Sequence, residues 1–232
     1  EEPKSINTVP PEEIASKILT LVGVHTFSPE LKTVKIGKAF YNSRIDSDLT
    51  HLLDATKLKV SSLIVRMDFN FNEDNLVQQL EACPCSVITS KPLSDEVINK
   101  YHKKIVELVY YIEDDHSPEF IKKIKGKSIN YLLRSRKEGP ELNDLKLDYF
   151  DYGLIQPIKP KSKNDFEELK DKNKLFYKSN YFIVHGNKFY PSTAAFLQKE
   201  QGSEQMSHDP QPIIDVPIFW EEEEHFQFFT KN

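Results

Sequence analysis

Glycine is scarce in this chain, with 7 in 232 residues, alongside 2 cysteines, 2 methionines and a single tryptophan. A backbone without glycine rarely takes the positive-φ turns that bring amide groups close around a phosphate. The sequence accordingly holds no Gly-x-Gly-x-x-Gly, no Gly-x-x-x-x-Gly-Lys-Ser/Thr, no Gly-x-Ser-x-Gly and no His-Glu-x-x-His. Dinucleotide oxidoreductases, P-loop enzymes, α/β-hydrolases and zinc proteases of the familiar kinds are thereby disfavoured, and no tightly bound cofactor or metal is expected. Cys83 and Cys85 flank Pro84, a spacing too short for an ordinary disulfide. They read as reduced thiols at the start of a buried strand, in a cytoplasmic protein.

Long apolar runs are missing too. None approaches the roughly 18 residues of a membrane-spanning helix, and Glu1-Glu2-Pro3-Lys4 has no signal-peptide character, so no membrane span is expected. The missing initiator Met is read as the mark of a piece of something longer. There is also no positive excess: 31 basic residues against 36 acidic ones leave a net charge of −5, which argues against nucleic acid as a partner. The lysine runs at 122–127 and 159–163 have no interleaved aromatics and read as solvated faces.

What is present is alternation. Residues 10 to 22 open with prolines and Glu12 and Glu13 and predict a helix, followed by a strand at 31 to 36; this front piece, 1 to 55, is expected to feed the main sheet. From residue 60, strand-then-helix units recur. Strand VSSLIVRMDF is followed by a helix near 72 to 82, SVITS by a helix capped by Ser94, VELVYYIE by a helix capped by Ser117, and SINYLLR by a helix from Pro140. Strand LIQPI closes the series. Strand starts lie about 20 to 26 residues apart, the length of a strand, a loop and a three-turn helix. The pattern predicts an open, mostly parallel, Rossmann-like α/β sheet over 56 to 159 with helices on both faces. Residues 160 to 174 read as a polar linker or surface helix. Over 175 to 232 the expectation is a β-hairpin turning at His185-Gly186-Asn187, and then an extended tail whose aromatics, Trp220 among them, dock on the body.

In an open parallel sheet, ligands bind beyond the carboxyl ends of the strands. That rule selects Arg66, Asp68 and Asn70; Thr89, Ser90 and Lys91; Glu113, Asp114, Asp115 and His116; and Arg134, Ser135 and Arg136. Hydroxyls, cations and carboxylates in this mixture suit a phosphate-bearing or sugar-like ligand.

The segments VRMDFNFNEDNLVQQL, SVITSKPLSDEVINKYHKKI, YYIEDD, LKLDYFDYG, FYKSNYFIVHGNKFYPSTAAF and FWEEEEHF resemble a loose group of bacterial and phage proteins classed as family nine, heptosyltransferase-like glycosyltransferases. The resemblance covers residues 10 to 229 and rests on the wording and order of segments. It implies a GT-B architecture of two Rossmann-like lobes with a nucleotide-sugar donor between them. The chain departs from that pattern in holding one lobe, and no catalytic motif matches, so no catalytic residue is carried over. On the rim residues themselves, Asp68 or Asp114 is the expected base. Arg134, Arg136 and Lys91 are the expected neutralisers of a diphosphate, with Arg66, Ser90, Asp115 and His116 as further ligand contacts. The alternative is a non-catalytic Rossmann-like assembly module, with a protein partner or a second copy meeting the hairpin and tail.

Overall fold

The structure is a computed structural model and describes residues 9–23, 30–53, 62–113, 117–158, 164–170 and 174–231. In chain order its elements begin with α1 (Pro11–Leu21), β1 (Leu31–Ile36), β2 (Arg44–Ser47), β3 (Ser62–Arg66), α2 (Glu73–Ala82), β4 (Cys85–Thr89) and α3 (Asp95–Tyr101). They continue with β5 (Ile105–Tyr111), α4 (Pro118–Gly126), β6 (Tyr131–Ser135), α5 (Gly139–Asp148), β7 (Ile155–Pro157), α6 (Glu167–Lys170), β8 (Leu175–Ser179) and β9 (Tyr181–His185). The last are β10 (Lys188–Tyr190), α7 (Thr193–Leu197), β11 (Gln211–Pro212), α8 (Pro217–Glu221) and β12 (Phe226–Lys231). The chain divides into two units, one of Arg44–Lys159 with Ile183–Phe189, the other of Glu1–Ser43, Pro160–Phe182 and Tyr190–Asn232.

The first unit is built on an eight-stranded sheet of order β10-β9-β2-β3-β4-β5-β6-β7, in which every neighbouring pair from β2 to β7 is parallel. The expected mostly parallel, layered α/β fold is present, as is the C-terminal hairpin. The hairpin turns at Gly186, whose φ of 60° lies in the region glycine tolerates. The helices start where the sequence says they should. Asn72, Ser94 and Ser117 each accept a backbone N–H from the residue three positions on, and Pro118 occupies the first turn of α4.

The strand order bears on where α2 to α5 pack. Right-handed crossovers that always advance to the next strand in one direction set every helix on the same side. The contacts agree with this. Tyr101 of α3 donates to Glu81 of α2 at 2.6 Å, Lys123 of α4 pairs with Asp95 of α3, and Lys125 of α4 reaches the Asp151 carbonyl beyond α5 at 3.3 Å. Phe120 of α4 meets Tyr110 of the sheet edge-on, with centroids 5.2 Å apart. The side chains that the registers place on Tyr110's face, among them Val65, Val87, Leu108 and Leu133, are all buried. Each such side chain contributes roughly 1.5–3 kcal/mol, the main stabilising term of the unit. The opposite face carries Asp46, Ile64, Arg66, Ile88, Val109, Tyr111 and Arg134 in register.

The second unit is a four-stranded antiparallel sheet of order β1-β12-β8-β11. Within the front piece, β1 pairs with β12 in this second sheet, while β2, also within residues 1 to 55, is the first strand of the parallel run and has no apolar alternation to announce it. The tail is not merely extended, because it supplies α8 and the central strand β12. Trp220 stacks between Phe166 and Phe228 at 5.8 and 6.0 Å, and Phe219 and Phe226 pack on Tyr177 at 4.8 and 4.9 Å. With these rings buried, the tail's aromatics are core and not a contact surface. Gly37 is needed here for closeness: a Cβ on it would stand 2.4 Å from the carbonyl oxygens of Glu223 and Glu224.

Candidate functional site

The face opposite Tyr110 carries charges across its first strands. Residues two apart on a strand share a face, so Arg44 sits beside Asp46 on β2, while Asp68 stands in the turn that follows Arg66, the last residue of β3. Asp46 is wholly buried and Arg66 is 3% exposed, a placement that costs several kcal/mol per ion unless every charge is paired. Here each is. Arg44 bonds both Asp46 oxygens at 2.7 Å, and Arg66 reaches the same carboxylate through Nη1 at 3.2 Å. Arg66 then grips Asp68 with Nε and Nη2 at 2.8 and 2.7 Å, its guanidinium 3.8 Å from the Phe69 ring centre. The result is a neutral Arg-Asp-Arg-Asp ladder across β2, β3 and the turn after β3.

Further along the same face stands Tyr111, the last residue of β5. Burial pushes its hydroxyl above the usual value, against a downward pull from Arg66, Arg134 and Arg136, while Asp68 adds to the rise. Three of the arginines singled out from the sequence are thus gathered around one phenol. The Arg136 guanidinium lies 5.0 Å from the Tyr111 ring centre. Arg134, half-buried on β6, has its Nε buried with no hydrogen-bond partner among the described residues.

Next to them opens a cleft of about 700 Å³ at the carboxyl ends of β5, β6 and β7, lined by Tyr111, Ile112, Glu113, Ser135, Arg136, Lys137, Glu138, Glu141 and Ile158. Its chemistry is mixed. Arg136 and Lys137 are donors that recognise phosphate, and the glutamates are acceptors for hydroxyl groups. The floor is set by Ser135, whose Oγ donates to the Ile112 carbonyl at 3.3 Å and accepts from the Lys137 N–H at 3.1 Å. Ser135 is therefore a scaffold residue.

The remaining rim residues are placed elsewhere. Thr89 holds its own turn, donating to the Lys91 carbonyl at 2.7 Å and accepting from the Lys91 N–H at 3.1 Å. Lys91 is exposed with Nζ 5.8 Å from the Phe71 ring centre, and neither it nor half-buried Ser90 lines the cleft. Asn70 donates to the Asp48 carbonyl at 3.1 Å. Asp114, Asp115 and His116 lie outside the described residues. Both oxygens of Asp68 accept from Arg66, an arrangement that neutralises a neighbour and does not suit a general base. Cys83 and Cys85 are free thiols, and burial pushes Cys85 up to about 12, which keeps it un-ionised and unreactive. Among the described residues no three His, Cys, Asp or Glu side chains are placed to hold a metal ion, and no helix is long and apolar enough to cross a membrane.

Sequence reasoning missed Arg44, Asp46 and Tyr111. The alternation Arg44-Ile45-Asp46 was the available signal for the first two. No protein-family model matches the chain, and neither a curated protein nor a solved structure matches it.

Asp46→Ala leaves Arg66 buried beside a lost partner, so chemical denaturation should show a destabilisation of roughly 3–5 kcal/mol. A loss under about 1 kcal/mol, the size typical of an exposed pair, would mean that the ladder is not a buried, coupled unit.

Proposed function

We propose that the Arg44–Lys159 unit is a glycosyltransferase-like lobe that holds a nucleotide sugar, or a related phosphorylated ligand, at the carboxyl ends of β5 and β6. Arg134 carries this reading. A buried donor without a partner loses its hydration for nothing, typically about 1–3 kcal/mol and more when charged. A ligand anion arriving at the rim would supply the missing acceptor. Arg136 and Lys137, on the adjoining wall of the cleft, are the groups that would meet a second phosphate, while Glu113 and Glu141 would accept hydrogen bonds from sugar hydroxyls. Lys91 has no part in this arrangement.

The reading needs no glycine loop. Guanidinium forks recognise phosphate oxygens through side chains, so the backbone can stay at a distance. Its test is a thermal-shift and calorimetric comparison of nucleotide sugars, nucleoside diphosphates and inorganic pyrophosphate. A ligand that binds only the folded chain stabilises it by about 2.7 kcal/mol at a hundred times its Kd. Arg134→Ala should weaken binding by about tenfold or more, since a hydrogen bond to a charged group is worth roughly 1.5–3 kcal/mol. Binding that survives Arg134→Ala unchanged would place the ligand elsewhere.

One observation favours the assembly reading. Leu147, Phe150 and Leu154 are 73%, 80% and 79% exposed at the end of α5 and the approach to β7, and β7 ends the sheet order. Exposed apolar side chains beside an unpaired edge are features of a contact surface. If they serve that purpose, sedimentation velocity should show concentration-dependent dimers that Phe150→Asp abolishes. A monomer at all concentrations would remove self-association.

A further inference from the structure

The cleft at the carboxyl ends of β5, β6 and β7 is not a purely basic one. Among the described residues its lining carries two cations, Arg136 and Lys137, against three carboxylates, Glu113, Glu138 and Glu141. All three glutamates are exposed, and none of their carboxylates has a hydrogen-bond or ion-pair partner among the described residues. They are therefore not spent on Arg136 and Lys137, which have contacts of their own. Three uncommitted carboxylates count against a ligand that is anionic throughout, because its charge would stand beside theirs in a concave site, where water screens less than on an open surface.

The start of α5 accounts for part of this acidity. Glu141 stands in the first turn of that helix, where a negative side chain complements the helix dipole. Glu113 has no such explanation: it follows β5, belongs to no helix, and lines the same cleft from a different element. A cation on the ligand would answer carboxylates brought together in this way. A metal ion is the poorer occupant, since among the described residues no three His, Cys, Asp or Glu side chains are grouped to hold one. An ammonium group, with three donors and no coordination geometry to satisfy, needs only one or two carboxylates. The lining also includes Tyr111 and Ile158, which belong to a buried apolar cluster with Ile88, a surface on which the hydrocarbon face of a sugar ring can rest.

We propose that the ligand of this cleft is zwitterionic, a phosphorylated sugar that also carries a free primary amine. Glu113 and Glu141 hold the ammonium, while Arg134, Arg136 and Lys137 meet the phosphate. This rests on the reading of Arg134 given above and narrows it from phosphorylated ligands in general to amino-sugar phosphates. The two glutamates are then specificity-determining residues, because a carboxylate bonds a charged donor more strongly than it bonds a neutral hydroxyl.

The test is calorimetric titration of the whole chain with glucosamine 6-phosphate, glucose 6-phosphate and N-acetylglucosamine 6-phosphate, with inorganic pyrophosphate as the reference anion. The titrations are run at about pH 6.5, below the range in which an α-amino type of nitrogen loses its proton. Glucosamine 6-phosphate should bind about tenfold more tightly than glucose 6-phosphate, the effect of one added hydrogen bond between charged groups. The N-acetyl sugar, which has lost the charge, should bind no better than glucose 6-phosphate. Combining Glu113→Gln with Glu141→Gln, at two exposed positions and with the side-chain volume kept, should make the amino and hydroxy sugars bind alike. Pyrophosphate that binds while the two sugars bind alike, or while neither binds, would overturn the amine inference and leave the Arg134 reading in place. Silence from all four ligands would overturn both, and a preference for the amine that survives the double substitution would remove Glu113 and Glu141 from its recognition.

Discussion

The parallel unit depends on one carboxylate. Asp46 has no exposure to solvent and is shared by two arginines, one beside it on β2 and one across on β3. Removing a charge from water is tolerated only when the partners are in place before water leaves, so β2 and β3 are held to a single register. A slip of one residue would turn Asp46 to the face of Val65 and Leu63 and take from Arg66 its bond to that carboxylate. The ladder is a device for specificity more than for stability, since an apolar pair of the same volume would serve the sheet about as well.

Because the ladder occupies the face opposite Tyr110, the unit has two unlike sides. One is a close-packed apolar layer under α2 to α5. The other passes from the neutral ladder at β2 and β3, through Tyr111, to Arg134 on β6 and Arg136 just past its end. The carboxylates are concentrated at one end of this row, while Arg134 at the other end keeps an unanswered donor. A single sheet face thus grades from internally satisfied charge to charge that invites a ligand, and the strand carboxyl ends are where that invitation meets a cleft.

Much of this was legible in the amino-acid order. The strand-helix alternation placed β3 to β7 and α2 to α5, and Ser94 and Ser117 marked helix starts because a hydroxyl followed by acidic residues satisfies otherwise orphaned amides. The sidedness of the helix layer was not legible from alternation, because it follows from strand order, a long-range property. β2 went unseen because only Ile45 of its four residues is apolar, so hydrophobic pattern, the main strand signal, is absent from Arg-Ile-Asp-Ser. The Arg66, Arg134 and Arg136 grouping was visible only as separate rim residues. That they share Tyr111 depends on the parity of each strand, and Lys91, equally plausible in sequence, ends up beside Phe71.

The account turns on Arg134 being an unanswered donor at a ligand site while Arg66 is already answered. Side-chain Nε–Hε resonances of the two arginines report this directly when inorganic pyrophosphate is titrated into the isotope-labelled chain. The account predicts a saturable shift of the Arg134 signal and an unmoved Arg66 signal. An Arg134 signal that stays in place through millimolar pyrophosphate, or one that moves only in step with every exposed arginine and lysine, would contradict it.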